Sequence, residues 1–300
     1  MALNKEIWIN DIVEGFFPAN EFVSRSLDHS MYVNNKTVHV PNAGLPPEIK
    51  KNIGTFPVTA SKRADTDLTY DIDTFYSVPI HIQNSEVVEL SYDKRQSVLA
   101  QMRAELQRVV MEAVLTSWLP ASPTSLATTG AAVTSHIPTA TGNRKKLTIE
   151  DIKTLKLMFD RQDIPSEGRY ILLDSDMYNE LMGEMTDAAT LNFLAGANPT
   201  SGVIGTFMGF NFYTRSKVLK TTAAGAYKDW SASGAATDSA AGLAWHQSSV
   251  ARALGDVDMF DSQQDPLYYG DIMSCSMRAG GHCIRTDKKG VVLIYQATAE

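Results

Sequence analysis

The chain is 300 residues long, enough for one large domain or two ordinary ones around a substantial buried core. Apolar residues make up 44% and charged residues 20%, which excludes wholesale disorder, a collagen repeat and a continuous coiled coil. With 27 basic against 34 acidic side chains the net charge is −7, a balance that disfavours sequence-independent DNA binding by the chain as a whole.

In chain order, the first fifty residues join a short amphipathic piece, with Ile7, Trp8, Ile12 and Phe16 at near-helical spacing, to extended polar stretches ending in Pro41, Pro46 and Pro47. They read as an arm. After Phe56-Pro57 the period becomes two: Leu68, Tyr70, Ile72 and Thr74 alternate with Asp67, Thr69, Asp71 and Asp73, and Val78, Ile80 and Ile82 alternate across Pro79. Residues 55–90 are therefore expected to form a long two-stranded excursion whose half-apolar faces lean on something else. From Asp93 the period is helical, with Val98, Leu99, Met102, Leu106, Val109, Val110, Ala113, Val114 and Trp118 on one stripe until Pro120 stops it.

Residues 120–147 have the Ala, Ser, Thr, Gly and Pro composition of a loop and end in the basic run Arg144-Lys145-Lys146. Thr148 is placed to cap a helix with Glu150 and Asp151 in its first turn and Ile152, Leu155 and Phe159 on its buried edge. A turn at 164–168, an apolar strand at 170–173 and a short helix from 174 to about 182 make an α/β unit. Short strands follow around 203–204 and 210–214, then an Ala/Gly/Ser-rich stretch at 221–242 expected to be an exposed loop. Structure resumes at 243–246 and 250–254. Strands at about 270–284 and at 291–295, joined by a turn at 287–290, are expected to close the fold as a pair.

Chemistry-bearing patterns are sparse. Leu172-Leu173-Asp174-Ser175-Asp176 runs an apolar strand into two aspartates, as magnesium-dependent phosphate-transferring enzymes of the haloacid dehalogenase type do, but Tyr178 stands where those enzymes carry Thr or Val. Capping of the following helix by Asp174 or Ser175 is the plainer reading. Gly202, Gly205 and Gly209 match neither a Walker sequence nor GxGxxG, and the six histidines show no metal-ligand spacing. Arg144-Lys145-Lys146 reads as a solvated loop edge and the Asp67, Asp71, Asp73 face as an exposed or partner-matched strand face, with calcium as the alternative. Cys275 and Cys283, the two cysteines, are too few for a disulfide framework, so reduced thiols are expected. The start of the chain lacks a signal-peptide pattern and no stretch approaches about 18 apolar residues, so no membrane segment is expected.

The order of segments resembles the major capsid protein of tailed bacteriophages, with the Hong Kong 97 type fold that encapsulin shells also use. The carrying segments are Tyr32-Val33 and Thr37-Val38-His39-Val40-Pro41, residues 67–82, Leu90-Ser91-Tyr92-Asp93-Lys94-Arg95, and Thr141-Gly142-Asn143-Arg144-Lys145-Lys146-Leu147-Thr148. Gly168-Arg169-Tyr170-Ile171-Leu172-Leu173-Asp174, Met208-Gly209-Phe210 and the final strands complete the likeness. It implies an α+β chain divided into an N-terminal arm at 1–54, an extended β-hairpin loop at 55–92 and a long spine helix with peripheral-subdomain loop at 93–147. The axial subdomain would occupy 148–262, and closing strands shared by the two subdomains 263–300.

The implied protein is not an enzyme and has no catalytic residue, cofactor or metal. It self-assembles as pentamers and hexamers of many copies into an icosahedral head, made in the bacterial cytoplasm and resident in the virion. The expected partners are further copies of itself, a separate scaffolding protein, a portal protein, decoration proteins, and double-stranded DNA enclosed without sequence-specific binding. Trp8, Leu68, Tyr70, Asp71, Ile72, Asp73 and Phe75 are the expected intersubunit contacts, because an arm and a hairpin that cannot bury their own apolar positions must find them on neighbours. An encapsulin-like compartment shell is the alternative, and a magnesium-dependent phosphatase using Asp174 and Asp176 a further one.

Overall fold

The computed structural model describes residues 21–32, 37–44, 48–49, 51–53, 56, 60, 62–83 and 94–299. The amphipathic piece with Ile7, Trp8, Ile12 and Phe16, together with Val33 and residues 90–93, lies outside the described residues.

A 3-10 turn at Glu21–Arg25 precedes strands β1 (Leu27–Asp28), β2 (Thr37–Asn42), β3 (Thr66–Asp71), β4 (Asp73–Tyr76) and β5 (Ile80–Gln83). Helix α1 spans Lys94–Ser117, where the apolar period places it, and buries Met102, Leu106, Val110, Val114 and Leu115. The stretch after Pro120 holds three short strands, β6 (Thr124–Ala127), β7 (Ala132–Thr134) and β8 (Asn143–Lys145), so its loop composition misleads. Small hydroxylated residues take up strand conformation where neighbouring strands supply the ladder. Helix α2 (Ile149–Arg161) starts in a full capping box: Thr148 Oγ1 accepts from the Asp151 N–H, and the Asp151 carboxylate accepts from the Thr148 N–H at 2.9 Å. Such a cap contributes about 1 kcal/mol. Strand β9 (Arg169–Asp174) ends in Asp174, whose carboxylate accepts from the Met177 N–H at 2.6 Å and so starts α3 (Ser175–Glu184). There follow α4 (Asp187–Ala195), β10 (Gly205–Phe207), β11 (Phe210–Arg215), β12 (Leu219–Thr221), β13 (Ser239–His246), β14 (Val250–Asp265), β15 (Gly270–Cys283) and β16 (Val291–Tyr295).

The larger sheet runs β10-β11-β9-β13-β16-β6, with β12 sharing the β9 edge of β13. Its central strands are apolar without interruption because both faces are covered. Along β9, Tyr170 and Leu172 point into a core built with α1, while Ile171 and Leu173 point into a second core built with α2 and α3. Strands β13 and β16 divide in the same way, Leu243 and Leu293 to one side and Ala244 and Ile294 to the other. Each large side chain fully buried here contributes ~1.5–3 kcal/mol.

The smaller sheet runs β1-β14-β15-β4, with β5 also on β15. Its spine is a ribbon of β14 and β15 paired from Val250↔Cys283 to Asp265↔Gly270. The expected closing pair is thus corrected. Strand β15 takes β14 as its partner, and β16, apolar on both faces, is drawn into the doubly covered sheet between β13 and β6. The exposed loop expected over 221–242 is also cut short, since β13 begins at a buried Ser239 and Asp238 beside it is buried in an ion pair with Lys228 at 2.7 Å. Trp118 and Trp245, with ring centroids 5.4 Å apart, stand in the core common to both sheets; Trp118 Nε1 donates to the Ala251 carbonyl and Trp245 Nε1 to that of Arg25.

The two-stranded excursion differs from the expectation in its partners. Strand β3 pairs antiparallel with β2, from Thr37↔Asp71 to Asn42↔Thr66, leaving residues 43–65 as the connection. Strands β4 and β5 lie end to end on β15 and do not pair with each other. The physical reason is burial: β3 gains Val38 opposite Tyr70, and the following segment gains the β14–β15 ribbon, which a hairpin of 66–76 with 78–83 would leave uncovered.

Candidate assembly surfaces

The expected contact residues fall into four groups. Trp8 lies outside the described residues. Tyr70 and Ile72 are buried by their own chain in a small core with Val38 and Ala253, and this corrects the expectation that their face is left uncovered. Tyr70 is stacked between the rings of His29 and His282, at 6.4 and 5.6 Å, and burial pushes its phenol well above its ordinary pKa. Leu68 is half-buried, and Phe75 is half-buried against the Trp230 ring at 6.1 Å. Asp71 and Asp73 remain on the surface, where Asp71 accepts from the Thr37 hydroxyl at 2.8 Å.

Among the described residues, uncovered apolar side chains recur in two segments. The first is the connection between β2 and β3, where Ile49 is 95% exposed and Phe56 77%. Its neck is pinned: the Gly44 N–H donates to Asp65 at 2.9 Å, and a Cβ at Gly44 would stand 2.1 Å from the Ala64 carbonyl oxygen, so only glycine fits. Its exposed charges are mixed: Lys51 and Lys62 stand with Glu48, and Arg63 pairs with Asp65 at 2.6 Å. The second is the far end of the β14–β15 ribbon, where Leu267, Tyr268 and Tyr269 crown the turn and Phe260 lies exposed below them. Asp258 and Asp261 give the same end an acidic flank.

Tyr76 and Val78 also face solvent. Here the Ser77 N–H donates to the Cys275 carbonyl at 2.8 Å and its hydroxyl accepts from the Cys275 N–H at 2.7 Å, so Ser77 bridges the break between β4 and β5 and turns Val78 outward. On α4, Leu191 is exposed while Phe193 is fully buried. Apolar clusters of this kind on an otherwise well-packed chain mark surfaces made for partners.

The enzyme-like string is accounted for by structure. Asp174 is buried, caps α3 and accepts from His136 Nδ1 at 3.3 Å, while Asp176 is exposed in the first turn. Among the described residues no three His, Cys, Asp or Glu side chains come together as a metal site. The basic run is corrected: Arg144 is buried, donating to Ser239 Oγ and to the Asp238 carbonyl, each at 2.9 Å. Lys146 pairs with Glu184 at 2.7 Å. Both cysteines are free and buried, and burial pushes their thiols up.

Sequence reading missed His136, Arg144 and the ribbon tip. The tip alone carries a local signal: Pro266-Leu267-Tyr268-Tyr269-Gly270 places three large apolar residues inside turn punctuation, where burial by the local chain is impossible.

A doubly covered sheet, a long helix against its inner face and a half-exposed ribbon carrying uncovered apolar side chains define a shell-building subunit with the Hong Kong 97 type fold. The model of the phage capsid protein family matches residues 69–297, and the chain belongs to that family as a major capsid protein of the tailed-phage type. Among solved structures it is similar to the capsid of Ralstonia phage GP4, with 15% identity and a TM-score of 0.65 over 96% of this chain and 91% of that one. It is also similar to the capsid of the cyanophage P-SCSP1u, with 20% identity and a TM-score of 0.62 over 92% and 87%. A virus-like particle from Pyrococcus furiosus shares the fold at 8% identity and a TM-score of 0.56, over 97% and 99%. No curated protein matches the chain. The α+β fold class read from the sequence holds, and the encapsulin-like alternative shares the fold without being the family matched.

Proposed function

We propose that this capsid protein closes an icosahedral phage head by laying the 43–65 connection of each copy on the β14–β15 ribbon of the next. The carrying observation is the apolar surface that both segments leave uncovered: Ile49 and Phe56 on one, Leu267, Tyr268 and Tyr269 on the other. Such a contact joins different surfaces of neighbouring copies, and heterologous contacts around an axis close into pentameric and hexameric rings. Repetition lets each contact be weak while the shell is strong.

Under this reading the extended hairpin is residues 37–71, and the arm ends before it. The role is structural, with Asp174 serving a cap and an ion pair. A separate scaffolding protein, a portal protein and decoration proteins are its partners, the virion is its place, production is in the host cytoplasm, and DNA is enclosed without being gripped. The test is negative-stain imaging and sedimentation of the full chain, alone and with its scaffolding partner. Shells or capsomers from the natural chain, and none from a chain with Ile49 and Phe56 both changed to Asp, are expected. Normal shells from that double variant would overturn the contact, and a monomer under every condition would overturn assembly by this chain.

A further inference from the structure

We propose that His136, Asp174, Glu180 and Gln296 form a buried ionic clasp that fastens the 135–140 loop and the chain end beyond β16 onto α3. His136 comes from the connection between β7 and β8, Asp174 from the end of β9, Glu180 from the middle of α3 and Gln296 from the residue after β16. The His136 side chain is 9% exposed, with Asp174 and Glu180 at 8% and 12%. Its Nδ1 lies 3.3 Å from Asp174 Oδ2 and its Nε2 2.9 Å from Glu180 Oε1.

An imidazole with a carboxylate at each nitrogen donates at both, and only the protonated ring has two N–H groups. The outer oxygens of both acids are already used. Asp174 Oδ1 accepts from the Met177 N–H, and Glu180 Oε2 accepts from the Leu147 N–H at 2.9 Å. Each carboxylate therefore ties a backbone start to the ring: the first turn of α3 on one side, the approach to α2 on the other.

Gln296 lies against the same ring. It is fully buried, with Nε2 3.1 Å from His136 Nε2 and Oε1 without a hydrogen-bond partner. With its amide oxygen turned toward the ring, Gln296 accepts from the imidazolium N–H. The end of the chain is held on the cation by this contact, while the Lys145 N–H donating to the Ala297 carbonyl at 2.8 Å holds the same segment to β8.

Burial acts to lower the pKa of His136, but the hydrogen bonds and charges of Asp174 and Glu180 together outweigh it and raise the value to about 10. Other charges face the site across a cavity of about 320 Å³ that His136 and Asp174 help to line: Arg108 and Glu112 from α1, Lys217 and Lys220 near β12, and Lys228 and Asp229. With four cations against two acids these groups oppose the imidazolium, so the two touching carboxylates decide its state. The Lys146 to Glu184 pair at 2.7 Å flanks the clasp as an already neutralised couple. A raised histidine pKa contributes stability that is complete below its ordinary value of 6.5 and is lost as pH climbs through about 10. The clasp is therefore shut at neutral pH and opens in base.

The test compares thermal midpoints of the unassembled full chain, natural and His136→Gln, from about pH 6 to about pH 11. The natural chain should melt several degrees higher at the acid end, with the gap closing towards pH 10. Amides of 136–147 and 296–299 should exchange faster in His136→Gln at neutral pH, while those of the β14–β15 ribbon should not. A gap that stays constant with pH, or no gap, would overturn the clasp, because packing alone does not titrate. Glu180→Gln keeps the shape and removes one charge, so its stability should begin to fall at lower pH than that of the natural chain. An unchanged pH profile in Glu180→Gln overturns the clasp even where His136→Gln does not fold.

Discussion

The α/β subdomain and the two uncovered segments obey opposite rules of burial. In β9, β13 and β16 consecutive residues point into two different cores, and Ile171, Leu172, Leu243, Leu293 and Ile294 are all fully buried by the chain itself. At the ribbon tip and in the 43–65 connection, residues just as apolar stand in water. The difference teaches where the chain is self-sufficient and where it is incomplete. Substitutions in the first region are expected to act on the folded subunit and, on the proposed contact, substitutions in the second to act on the assembly.

The largest expected effect on the subunit comes from Trp245→Ala. Trp245 packs on Trp118 at 5.4 Å and Tyr170 at 5.8 Å, and its loss orphans the Arg25 carbonyl, so chemical denaturation should register a loss of ~3–5 kcal/mol. Next is Asp174→Ala, which removes the α3 cap and leaves His136 with one buried acid, at about 2–4 kcal/mol in the same measurement. Asp174→Asn keeps the cap and should cost less, separating cap from charge.

Replacing residues 43–65 by an Asn-Gly turn between the paired Asn42 and Thr66 should leave the midpoint of the subunit nearly unchanged and abolish shells in electron micrographs. Residues 66–77 would be the wrong ones to remove, since Tyr70 and Ile72 belong to a core of the same chain. The smallest subunit effect is Tyr269→Ser at the 80% exposed ribbon tip, within about 0.5 kcal/mol, with assembly slowed in light scattering. If Tyr269→Ser unfolded the subunit, or Trp245→Ala spared it while blocking shells, the contrast between the two regions would be wrong.

Much of the first region is legible from sequence because its signals are local. The stripe through Met102, Leu106, Val110 and Val114 defines α1, Thr148 with Asp151 starts α2, and Asp174 starts α3. The misread parts depend on distant partners. The stretch after Pro120 looks like a loop until β16 and β8 supply ladders for β6 and β7, and Arg144 looks solvated until Ser239 and Asp238 close over it. His136 gave no signal at all, for its two acids lie 38 and 44 residues further on.

The sequence by itself determined the long helix, the capped helix starts, the α+β class and the resemblance to phage capsid proteins, because periodicity and capping act within a few residues. Tertiary structure alone decided which strand lies beside which: β15 with β14, β16 inside the larger sheet, and β3 with β2. Strand partners are chosen by long-range burial of whole faces, and a period of two tells which side of a strand is apolar without saying what will cover it.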